Sequence, residues 1–150
     1  MMKTLLIVAG LLFSTLAYSQ QINTKAVALD GYALVTYFTK NQAIQVTAKL
    51  SVELNGIYYH FSSVESKEMF EKNPAQYMPE CGGFCATGVA TASAKFPVDP
   101  ENFTVTDGKL YLFYNGPYQG SHFDGKEPWS KDETALIKKA EANWSTIKNN

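Results

Sequence analysis

The chain has no arginine; all 13 of its basic residues are lysine. It therefore lacks the planar fork that reads guanine edges or grips phosphates and carboxylates at two points, which argues against nucleic-acid recognition and phosphoryl transfer. No G-x-G-x-x-G or Walker-type loop is present to reopen those readings. Cysteine is scarce as well, with two in 150 residues, too few for a disulfide-dense miniature scaffold. Beyond residue 19 no apolar run is long enough to span a bilayer, and serine-hydrolase and zinc-protease signatures are missing. With 14 acidic side chains against 13 basic and a hydrophobic share of 45%, the chain reads as an ordinary globular protein and not as a disordered tail or a polyanion binder.

The start of the chain reads as an export signal. Lys3 supplies a positive charge, Leu5 to Leu16 is mostly apolar, and Ala17-Tyr18-Ser19 places small residues where cleavage is expected. Residues 1–19 are thus expected to form a signal peptide and residues 20–150 a single domain, periplasmic or secreted, with no membrane association after cleavage. About 130 residues suffice for one domain around one core. No internal repeat, linker or low-complexity segment is evident.

The expected fold class is α+β: small antiparallel β-hairpins packed with several short helices and an amphipathic C-terminal helix. Ala26–Leu29 and Leu34–Phe38 are β-leaning runs around an Asp30-Gly31 turn. Thr47–Leu54 and Ile57–Phe61 flank Asn55-Gly56, the strongest hairpin signal in the chain. That register puts Tyr59 and Phe61 on one face, and Tyr58 and His60 on the other. Ser63 stands as an N-cap before a helix over 64–72, and a second short helix precedes Pro79. A second hairpin is expected around Asp107-Gly108, then a Gly-rich loop from Gly116 to Gly125 carrying His122. Leu136, Ile137, Ala140, Trp144 and Ile147 recur at helical spacing.

Chemistry is expected near Cys81 and Cys85, in the run Glu80-Cys81-Gly82-Gly83-Phe84-Cys85-Ala86. A tight turn at the glycines should feed a small-residue helix from Ala86. The pair admits a disulfide, a copper or zinc site completed by His60, His122, Met69 or Met78, or simple buried thiols. The default for His60 is an imidazole bonded to a backbone carbonyl, and for the two methionines it is core filling. Tyrosines and phenylalanines at strand spacing are core, or the wall of a small-molecule pocket beside a cysteine.

The run from Asn55 to Tyr77, with Tyr59-His60-Phe61, the helix ending in Met69-Phe70 and the closing Asn73-Pro74-Ala75-Gln76-Tyr77, resembles the YHS domain. Asp30-Gly31-Tyr32, Gly82-Gly83-Phe84-Cys85-Ala86, Asp107-Gly108-Lys109-Leu110-Tyr111 and Ala142-Asn143-Trp144 extend the resemblance to the exported YHS-domain proteins of bacteria. Metal-binding YHS domains carry cysteines at the positions held here by Ser62 and Ser66, and hydroxyls do not replace thiolates for a soft metal. The residue chemistry of the pair, strengthened by the family's link to heavy-metal handling, leads to the expectation of a non-enzymatic metal binder, with copper or zinc held by Cys81, Cys85 and His60. The alternatives are a periplasmic thiol-disulfide protein that meets a redox partner, in which Cys85 attacks and Cys81 resolves, and a non-catalytic module with a structural disulfide.

Overall fold

Two dipeptides, Asn55-Gly56 and Asp107-Gly108, set the frame of the protein. In the computed structural model, which describes residues 26–149, their φ angles are 53° and 80°, and 53° and 72°, the left-handed pairs that tight hairpin turns require. The expected signal peptide lies outside the described residues. The elements run β1 (Ala26–Val27), α1 (Leu34–Lys40), β2 (Ser51–Leu54), β3 (Ile57–His60), α2 (Val64–Lys72), α3 (Pro74–Tyr77), α4 (Ala86–Ala92), β4 (Asp99–Thr106), β5 (Lys109–Phe113), β6 (Asn115–Tyr118), β7 (Ser121–Asp124), α5 (Lys126–Lys131) and α6 (Glu133–Ile147). The fold is α+β, as expected. None of the helices among the described residues is long and apolar enough to cross a membrane.

The expectation of a chain without internal repetition fails. A motif recurs with every partner position 52 residues on: 29 with 81, 41 with 93, 55 with 107. Each copy opens with a left-handed triplet, Leu29-Asp30-Gly31 at φ 43°, 51° and 87° and Cys81-Gly82-Gly83 at φ 54°, 60° and 81°. The triplets close alike, by Tyr32 N–H donating to the Leu29 carbonyl at 2.9 Å and Phe84 N–H to the Cys81 carbonyl at 3.1 Å. A seven-residue helix follows, α1 or α4, ended by a left-handed residue, Asn41 or Ser93. The hairpins β2–β3 and β4–β5 come next, and each takes a parallel neighbour from its own copy: Val27 beside Tyr58, and Pro79 beside Leu110. Past the hairpin the copies part. The first continues into α2 and α3, whereas the second inserts β6–β7 before α5 and α6.

Strand β5 runs between two cores. Leu110 and Leu112 join the first cluster with Leu34, Tyr37, Tyr59, Phe61 and Phe70, while Tyr111 and Phe113 join the second with Cys85, Val89, Trp129, Leu136 and Ala140. The two-residue period of a strand sends alternate side chains to opposite faces, and here both faces are buried.

Two local expectations are corrected. Leu34–Phe38 lies in helix α1: Leu34, Val35, Thr36 and Tyr37 are all buried, so packing on several sides overrides their β-leaning composition. The Thr36 hydroxyl donates to the Ala33 carbonyl at 2.8 Å. The Gly116–Gly125 stretch is no loop but the hairpin β6–β7, turning at Gln119-Gly120 with φ 48° and 81°. The helix over 64–72 forms as expected, with a reciprocal capping box between Ser63 and Ser66.

Candidate functional site: the cavity beside Cys85

Cys85 is the residue before α4. Its N–H donates to the Phe96 carbonyl at 3.0 Å and its own carbonyl accepts from Val89 N–H at 3.0 Å, so the helix start is fixed from both sides. The side chain is buried, 1% exposed. Gly125 makes room for the sulfur, since a Cβ built there would stand 3.1 Å from Sγ.

The thiol borders a cavity of about 360 Å³. Thr87, Gly88 and Thr91 of α4 form one side, and Phe96, Tyr114, Tyr118 and Phe123 supply an aromatic wall. Gly88 lets Phe96 lie against the helix: a Cβ there would come within 2.4 Å of the ring. The Tyr118 ring meets Phe96 edge-on at 6.5 Å and Phe123 at 5.9 Å between centroids. Every lining hydroxyl has a protein partner, Tyr118 OH by accepting from Gln119 Nε2 at 3.3 Å. Thr87 Oγ1 donates to the Gly125 carbonyl at 2.6 Å, Thr91 Oγ1 to the Thr87 carbonyl at 2.7 Å, and Tyr114 OH to the Pro117 carbonyl at 2.5 Å. An occupant therefore meets mainly rings, methyl groups and one soft sulfur, with the Tyr118 O–H as the one hydroxyl not donated to a protein carbonyl.

The first copy carries a counterpart. Val35, Thr36, Thr39, Lys40 and Ser62 hold the places of Thr87, Gly88, Thr91, Ala92 and Tyr114, and line a cavity of about 170 Å³. There the N-cap Ser63 and Glu65, Ser66 and Met69 of α2 complete the lining, whereas in the second copy β6–β7 supplies Tyr118 and Phe123. The inserted hairpin thus turns a small polar groove into a larger aromatic one.

The other residues singled out from the sequence lie elsewhere. Cys81 is buried in the left-handed triplet and borders a second cavity, of about 180 Å³. Burial, and then the charge of Glu80, push its thiol up to about 12. His60 belongs to the first copy, with Nδ1 3.2 Å from where a Cβ on Gly31 would stand. That nitrogen is buried without a hydrogen-bond partner among the described residues, so the expected bond to a backbone carbonyl is not made through it. His122 is exposed, its Nε2 2.8 Å from Asn115 Oδ1. Met69 and Met78 are partly buried against the first core, as expected. Among the described residues no group of three or more His, Cys, Asp or Glu side chains is placed to hold a metal ion. Cys81, Cys85 and His60 are therefore not gathered as a ligand set for copper or zinc, and both cysteines are free thiols.

Sequence reading reached Cys85 and an aromatic wall in principle, but not Thr87, Gly88 or Phe96. Gly88 was the available signal: glycine inside a helix costs about 1 kcal/mol relative to alanine, which points to a close approach. Compared with known proteins, the chain matches no family model, no curated protein and no solved structure.

Proposed function

We propose that this is an exported, non-catalytic binding protein that holds a small, neutral, apolar molecule in the Cys85 cavity. The observation that carries the reading is the aromatic wall around a space of about 360 Å³ in which the Thr87, Thr91 and Tyr114 hydroxyls all donate to protein carbonyls. That volume falls in the range of small-molecule pockets, about 300 to 1,000 Å³. No imidazole lines the cavity among the described residues, which leaves the thiol without a neighbouring base. Export rests on the signal-like residues 1–19 and on the resemblance to exported YHS-domain proteins. Against the thiol-disulfide alternative stands the Cys81 thiol, buried and pushed up to about 12, a poor resolving partner.

The test is titration of the mature protein with N-phenyl-1-naphthylamine, a neutral apolar fluorophore. Saturable enhancement is expected, and Ala92→Trp, which puts an indole at the exposed rim of the cavity, should abolish it while the far-ultraviolet circular dichroism stays unchanged. Equal enhancement in the variant, or none in the parent protein, would refute the reading.

A further inference from the structure

Tyr111 sits under a cavity of its own. The ring is buried, 1% exposed, and packs on Trp129 at 5.0 Å between centroids. Its hydroxyl has no hydrogen-bond partner among the described residues, although an unmet buried hydroxyl costs about 1–3 kcal/mol. The hydroxyl-bearing residue borders the cavity of about 180 Å³ together with Cys81, Glu80, Ala140, Glu141 and Trp144. This space is separate from the Cys85 cavity, with no lining residue in common.

The charges around it are uneven. Lys109 Nζ donates to Glu141 Oε1 at 2.8 Å, so that carboxylate is partly neutralised. Glu80 is half-buried and makes no hydrogen bond or ion pair among the described residues. Burial first, and then the charges of Glu80 and Glu141, raise Cys81, so the field is negative on that side of the cavity, whereas at Tyr111, raised chiefly by burial, Lys109 opposes the two glutamates. Lys148 borders the cavity from the exposed C-terminal turn. Ala140 and Trp144 present an apolar side, and the Trp144 ring already carries the Lys95 ammonium at 5.6 Å from its centroid.

We infer that this cavity is a site for a small organic ammonium ion. One N–H donates to the Tyr111 hydroxyl oxygen, the charge lies against the Glu80 carboxylate, and the alkyl part rests on Trp144 and Ala140. A buried hydroxyl and a carboxylate beside an apolar side match a primary ammonium with a short carbon chain, and a space of about 180 Å³ suits a small one. Nothing in this assignment depends on what occupies the Cys85 cavity.

The probe is ethylammonium, titrated into the mature protein and followed through the amide of Gly82 and the indole N–H of Trp144 by two-dimensional NMR, with ethanol and acetate as neutral and anionic controls. Saturable shifts with ethylammonium alone are expected. Tyr111→Phe, which removes one oxygen and keeps the ring, should weaken binding about tenfold, the loss of one charge-assisted hydrogen bond. Glu80→Gln should weaken it as well. Equal shifts with ethanol or acetate, or unchanged ethylammonium binding in Tyr111→Phe, would overturn the assignment.

Discussion

Ala33 and Cys85 occupy one and the same place in two copies of a motif: the Ala33 amide donates to the Ile44 carbonyl at 2.9 Å, and the Cys85 amide to the Phe96 carbonyl at 3.0 Å. Both side chains are buried. The thiol is thus a substitution on a backbone that also accepts alanine. Cys85→Ala should lower stability by only about 1 kcal/mol, the loss of one buried heavy atom. The reverse change, Ala33→Cys, forces an atom into a filled core and should cost about 1–3 kcal/mol. Urea denaturation of the two variants checks the asymmetry.

Gly82 is held by helix α6. At φ 60° its Cβ, if present, would stand 2.7 Å from Trp144 Cζ2, whereas Gly56 at φ 80° has nothing within 4 Å. Gly56→Ala should therefore cost about 1–2 kcal/mol, the left-handed penalty alone. Gly82→Ala adds overpacking worth about 1–3 kcal/mol more. Pairing Gly82→Ala with Trp144→Leu should recover part of that excess, and a double-mutant cycle measures it.

Glu133 ties three elements together. Its Oε1 accepts from Trp129 Nε1 at 3.0 Å and from Thr106 Oγ1 at 2.8 Å. Glu133→Ala leaves the indole N–H of a 1% exposed tryptophan without a partner, a loss of about 1–3 kcal/mol. Glu133→Gln keeps an accepting oxygen and should lose less. Denaturation midpoints and tryptophan emission distinguish the two.

Stability should fall in alkali. Burial raises Cys81 from 9.0 to about 12 and Tyr111 from 10.0 to about 12. Both are acids whose neutral form the fold prefers, so their contribution is complete below the unfolded values and is lost as pH climbs from about 9 through about 12. The urea midpoint should decline across that window, and less steeply in Cys81→Ala. A midpoint flat to pH 12 would contradict the burial of both groups.

The local parts of this fold were legible because their signals are local. Asn55-Gly56 and Asp107-Gly108 demand left-handed φ, and Ser63 caps its own helix, so these elements fall where the residues put them. Leu34 to Tyr37 failed because burial on several sides removes the polar-apolar period that marks a helix. The repeat stayed hidden for a related reason. What recurs is backbone: left-handed triplets, amide-to-carbonyl bonds and turn positions, which Leu29 and Cys81, or Asn41 and Ser93, satisfy with dissimilar side chains. The site was half legible. The cysteines drew attention as a pair, but no local signal says that one opens on an aromatic cavity and the other on a cavity edged with carboxylates.

The doubled motif gives this protein an experimental convenience. The left-handed triplet, the following helix and the hairpin turn of one copy each have a twin 52 residues away in the other, yet only one of the two related grooves is widened by an added hairpin. Grafting residues 115–124 after Ser62, or deleting them after Tyr114, would move the aromatic enclosure between otherwise equivalent frames and separate what the scaffold does from what the decoration does.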